Sequence, residues 1–169
     1  MPDGRQDDTH SNARGARRNC DIVCDSIRVK IPQLAEHLVR YDFVVDKDGR
    51  GDFLTLRDAI DAVPDYQKSV QTTILLKPGV YRERIIIPSG KRNLKITGFG
   101  ADNSVITYDN YARKLWPDST HEIGTSGSAS VFVDADDVTF EDLGIRNDAG
   151  EVGQAVALMT NGDRILLRR

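Results

Sequence analysis

After Pro64 the chain never again offers ten residues with an apolar helical face. Short β-rich runs alternate instead with Gly, Asn, Asp and Pro: Thr73–Lys77, Arg84–Ile87, Leu94–Thr97, Ser104–Tyr108, Ser130–Val133, Val138–Phe140, Leu143–Arg146, Ala155–Met159 and Ile165–Leu167. A doubly wound α/β fold needs helical crossovers between its strands, so this pattern argues against one. A sandwich and a solenoid remain. Three features favour the solenoid. The strands are short and even. The turns are tight and rich in Asp, Asn and Gly, as in Ala101-Asp102-Asn103 and Asn161-Gly162-Asp163. The strand–turn–strand unit recurs at roughly 20–25 residues, within the range of stacked β coils. A parallel β-helix fills its interior with stacked Ile, Val and Leu, and its loops build the binding cleft on one outer face.

The 169 residues suffice for one domain with a real core. A net charge of -3 argues against a general nucleic-acid binder, which shows a basic face. No run approaches the roughly 18 apolar residues of a membrane span. The first 19 residues are polar, with no apolar core of a secretory signal, so the sequence as it stands reads as retained in the cell.

Residues 1–40 read as a poorly ordered extension ahead of a domain over 41–169. Residues 1–19 mix charge, Gly and Asn without periodicity, and Arg14, Arg17 and Arg18 read as part of a solvated tail. Ile22, Val23, Ile27, Val29 and Ile31 are β-branched, and Pro32 can open a helical turn over Gln33–Val39. Cys20 and Cys24 lack a second pair or a His cluster and read as free thiols. From residue 42 to 46 a strand is expected, then a turn over 47–52. A helix follows from Thr55, with Leu56, Ala59, Ile60 and Val63 on one face, Thr55 as N-cap and Pro64 as stop.

Most motif candidates have a plain structural reading. Gly98-Phe99-Gly100 follows a strand, but no helix follows it, so it is not a dinucleotide fingerprint. Gly124-Thr125-Ser126-Gly127-Ser128 does not fit a nucleophile elbow, and no helical pattern begins there. His10, His37 and His121 are scattered, and His121 reads as a surface histidine near that loop. Asp134, Asp136, Asp137, Glu141 and Asp142 lack the spacing of a calcium loop and read as a solvated turn. Gln154 ends a polar loop just where a strand begins. An amide there suits donation to an oxygen that gains charge in a reaction, or else it caps a turn.

From Val44 onward the chain resembles the N-terminal portion of the pectinesterases (pectin methylesterases, carbohydrate esterase family 8). The resemblance rests on Val44–Phe53, Thr55 with Ala59-Ile60, and Lys77-Pro78-Gly79-Val80-Tyr81-Arg82-Glu83 with Ile87-Pro88. It continues through Ile96–Gly100, Val105–Thr107, Val138–Leu143, Asn147-Asp148-Ala149-Gly150 and Gln154-Ala155-Val156-Ala157-Leu158. The last is the piece most particular to these esterases.

The resemblance implies an all-β fold, a right-handed parallel β-helix with one short N-terminal helix. It implies hydrolysis of the C6 methyl ester of galacturonate in pectin by an attacking aspartate and an acid/base aspartate. An arginine orients the nucleophile, and glutamine amides stabilise the oxyanion. It implies no metal or organic cofactor, a secreted protein, pectin as partner rather than nucleic acid or membrane, and a monomer when full length. Gln154 then matches an oxyanion and substrate contact, and Thr125 a substrate-contacting threonine on the preceding loop. The segments G-Y-Q-D-T-L-Y and D-F-I-F-G, with the two aspartates, and the Arg-Pro-Trp segment have no match before Arg169. Asp134, Asp142 and Asp163 match neither catalytic position. The chain is therefore expected to be the first coils of an esterase, inactive alone and exposing an unpaired edge. Two other readings are a non-catalytic pectin-binding β-helix and a calcium-dependent lyase-like enzyme.

Overall fold

All the strand ladders run parallel. The computed structural model describes residues 13–35, 38, 40–117 and 119–169. Its strands are β1 (Phe43–Val45), β2 (Thr72–Leu76), β3 (Gly79–Arg82), β4 (Ile85–Ile87), β5 (Leu94–Thr97), β6 (Ser104–Tyr108), β7 (Val131–Val133), β8 (Val138–Glu141), β9 (Gly144–Asn147), β10 (Leu158–Thr160) and β11 (Leu166–Arg168). They form three sheets, ordered β1-β2-β5-β8-β11, β3-β6-β9 and β4-β7-β10. From β2 onward consecutive strands enter the three sheets in rotation, so each turn of the chain adds one strand to each. This is a parallel β-helix.

Register stacks like upon like inside the coils. Phe43, Ile74, Ile96, Phe140 and Leu167 follow one another across the first sheet. Ile85, Val131 and Leu158 do so in the third. Burying these side chains drives the stacking, at about 25 cal/mol per Å² of apolar surface. The coils are less even than the expected spacing. Register advances by 31, 22, 44 and 27 residues, from Phe43 to Ile74, Thr72 to Leu94, Leu94 to Val138 and Thr139 to Leu166. The longest step holds the excursion 109–130.

One short helix sits at the start of the domain, where the spacing predicts it. Helix α3 (Leu56–Ala62) buries Leu56, Ala59 and Ile60, and packs against β1 and β4. The Thr55 hydroxyl accepts from the Asp58 amide at 3.1 Å. The Glu83 carboxylate, just past β3, accepts from the Leu56 and Arg57 amides, both at 3.0 Å. An anion on the free N–H groups of a helix start is favourable.

Contacts divide the chain into two units, Met1–Arg40 and Tyr41–Arg169. The first differs from the expected poorly ordered extension. Residues Ala13–Lys30 form helix α1, and Pro32–Ala35 form the turn α2. Cys20, Val23, Cys24, Ile27 and Ile31 recur at helical spacing, and that period outweighs the strand preference of β-branched residues. Arg28 pairs with Asp25 at 2.7 Å, one turn away. Cys20 and Cys24 are free thiols. Residues 1–12, 36, 37 and 39 lie outside the described residues, and with them His10, His37 and part of the turn expected after Pro32. No described helix is long and apolar enough to cross a membrane.

Candidate active site

Two loops leave the same corner of the β-helix on adjacent coils. One, residues 109–130, joins β6 to β7; the other, residues 148–157, joins β9 to β10. Because β6 pairs with β9 and β7 with β10, the loops start and end side by side. Backbone bonds join them and close the first loop on itself. Ala112 N donates to Gln154 O at 2.8 Å, Gly124 N to Ala112 O at 2.8 Å, and Ser130 N to Val156 O at 3.2 Å.

Side chains complete the joint. The Asn147 amide nitrogen reaches three carbonyls, of Asn110, Val156 and Ser128, at 2.8, 2.9 and 3.1 Å. Its oxygen accepts from Ala149 N at 3.0 Å, closing a local turn. The buried Ser128 hydroxyl donates to Thr125 O at 2.7 Å and accepts from Val156 N at 3.2 Å. Sequence reasoning missed both roles. Asn147 stands within the quoted N-D-A-G motif, which was the available signal.

This joint holds Thr125 against Gln154. Residues Gly124–Gly127 form one helical turn, α4, where no helical pattern was expected. The Thr125 hydroxyl donates to Gln154 Oε1 at 2.6 Å, and both residues are exposed. An amide oxygen fixed by a hydroxyl leaves its NH₂ group, with two donors, for a ligand. The two residues singled out from the sequence thus meet, 29 positions apart.

Charge braces the loop bases. Arg82, on β3, pairs with Asp109 at 3.1 Å and with Asp148. Lys114 pairs with Asp109 at 2.8 Å. The Lys114 hydrogen bond, aided by Arg82, holds the Asp109 carboxyl below its ordinary value. Asp109 and Asp148 therefore act as anchors with committed partners.

The remaining candidates resolve into structure. The His121 ring nitrogen lies 3.2 Å from the Ser119 hydroxyl in an exposed local turn. Ser104, not a ligand, receives the Phe99 amide in the Gly98 loop, at 3.1 Å. In the acidic group, Asp134 accepts from Asn161, Asp136 pairs with Arg92, Asp137 with Arg164 and Glu141 with Lys95. Among the described residues no group of three or more His, Cys, Asp or Glu is arranged to hold a metal.

The family model described as Pectinesterase matches residues 42–169. Pectinesterase 5 of Arabidopsis thaliana is 41% identical over 130 residues, which are 76% of this chain and 21% of that protein. Pectinesterase 31 of the same plant is 36% identical over 71% of this chain and 39% of its own length. Among solved structures, a pectin methylesterase in complex with a hexasaccharide superposes with a TM-score of 0.68 and 33% identity, over 77% of this chain and 42% of that one. Pectin methylesterase from carrot gives a TM-score of 0.66 and 32% identity, over 78% and 39%. The chain thus spans well under half the length of each of these relatives.

Proposed function

Because the chain belongs to the pectinesterase family, we propose that it supplies the ester-binding side of a site hydrolysing the C6 methyl ester of galacturonate in pectin. The observation that carries this reading is the Thr125–Gln154 bond. Attack on the ester carbonyl turns its oxygen into an oxyanion. A preset N–H donor stabilises that oxygen more than the uncharged carbonyl, and so lowers the barrier. Thr125 occupies the amide oxygen of Gln154, and the amide turns its N–H groups to the substrate. Overall, ester and water give carboxylate and methanol. Neither metal nor organic cofactor enters the proposal. The complete protein would act on pectin outside the cell, as a monomer.

The nucleophilic and acid/base aspartates belong to segments with no match in these 169 residues. No aspartate among the described residues hydrogen-bonds to Thr125 or Gln154, and Asp109 and Asp148 are held by cations. The 169-residue chain is therefore expected to bind methyl-esterified oligogalacturonate without releasing methanol. Methanol assay with methylated pectin tests the second half, and turnover well above background would overturn it. Calorimetric titration with the esterified oligomer tests the first half. Saturable binding that weakens in Gln154→Ala supports it, and no binding overturns it.

A further inference from the structure

Beside Trp116, which flanks α4, stands an arginine with no anion. Arg84, immediately before β4, places its guanidinium carbon 4.5 Å from the Phe132 ring centre and 5.4 Å from that of Trp116. Arg28, Arg50, Arg82, Arg92, Arg146 and Arg164 all pair with aspartates. Arg84 has no carboxylate partner among the described residues, and its Nε is buried without a hydrogen bond. Burial disfavours the charged guanidinium and lowers its pKa. A half-buried cation without a counter-charge is less favourable than a paired one, and a bound anion would relieve that.

The surroundings suit a sugar. Ile86, Phe132 and Met159 follow one another in register across the third sheet. Ile86 is 47% exposed and Trp116 37%. Together they make an apolar, aromatic strip along the β-helix axis. This strip joins the candidate active site directly, since a Cβ placed on Gly127 of α4 would lie 3.5 Å from Trp116 Cζ2.

We propose that Arg84, Trp116 and Phe132 form a subsite for a free-acid sugar residue, lying beside the residue whose ester faces Gln154. The rings receive the C–H face of the sugar, and the planar guanidinium grips its carboxylate. The inference rests on the pectin reading above and adds to it a preference for an unesterified neighbour.

The experiment is calorimetric titration of the chain with oligogalacturonate in its free-acid and fully methyl-esterified forms. Fluorescence of Trp116, the single tryptophan, is followed in parallel. The free-acid oligomer should bind and shift the Trp116 emission. Arg84→Gln should weaken free-acid binding about tenfold or more, as loss of a charge-assisted pair predicts, and change esterified binding less than twofold. Arg84→Lys keeps the charge but not the flat fork, and should fall in between; it serves as the second variant if Arg84→Gln does not fold. Gln154→Ala should show the reverse selectivity. Equal weakening for both oligomers, or none, in variants with wild-type melting would overturn the subsite. The pectin reading would then stand if wild type still bound the esterified oligomer. Failure of wild type to bind either oligomer would overturn both.

Discussion

Asn147 offers two N–H donors to three backbone carbonyls belonging to three different stretches of chain. Truncating it leaves carbonyls at the joint of two loops without a donor. Each such loss costs about 1–3 kcal/mol when water does not replace it. Asn147→Ala should therefore lower the unfolding free energy by about 2 kcal/mol, readable by thermal or urea melting. It should also weaken the esterified oligomer, because Gln154 hangs from the same joint. Gln154→Ala should behave differently, since its side chain is exposed. Melting should stay unchanged, while kcat in a full-length protein carrying both aspartates should fall about 10²–10³-fold. Gln154 stands out in the sequence through the resemblance of Gln154-Ala155-Val156-Ala157-Leu158 to the pectinesterases, because an amide at a strand mouth by itself also reads as a turn cap. The sequence pattern did not make Asn147 legible, because its three partners are carbonyls, and carbonyls carry no residue identity.

Among elements, the turns between the third and first sheets are tied by a repeating acidic ladder. Asp134 accepts from Asn161, Asp136 from the Asp163 amide and Asp137 from Arg164, each one coil on. The Asp163 amide, helped by Arg92, lowers the Asp136 pKa, and the Arg164 bond lowers that of Asp137. Both folded values lie below the ordinary 3.8. Their stabilisation is complete above that value and is lost as pH falls through the lower folded values. Melting temperature should thus fall steeply below pH 4, and less steeply in Arg164→Gln. Glycine serves the turns of the coils through lack of space. A Cβ on Gly162 would sit 1.9 Å from the Ala135 carbonyl oxygen, and one on Gly144 2.2 Å from that of Ala101. Gly162→Ala should destabilise the fold by about 1–3 kcal/mol, as overpacking does. Strand positions were largely legible, because β5 and β6 are bounded by turn residues on both sides. Strand β3 was read only as a motif. It opens on Pro78-Gly79, and of its four residues only Tyr81 is buried. The helical period of α1 was masked by its β-branched residues.

At the scale of the whole molecule, the first sheet ends on β11, where Leu166 and Leu167 are 40% and 59% exposed. An apolar cavity of about 470 Å³ opens there between Phe140, Leu143, Ile145, Leu158 and Leu167. Such a surface on an edge strand favours pairing with another chain. The isolated 169 residues should self-associate in sedimentation experiments at micromolar concentration, and Leu167→Lys should reduce this. Short even strands, tight turns and their recurrence favoured a solenoid over a sandwich, and the family resemblance implied the parallel β-helix, but its uneven pitch was not legible. Stacking constrains only the strands and leaves connection length unspecified. The 44-residue advance between β5 and β8 keeps the same Ile96-to-Phe140 register as the 22-residue advance before it keeps for Ile74 to Ile96. Connection length and stacking register are therefore set independently in this chain. Excursions at one corner can lengthen or shorten while the stacked register is kept, which leaves the 109–130 loop open to grafting so long as the Asn147 joint is preserved.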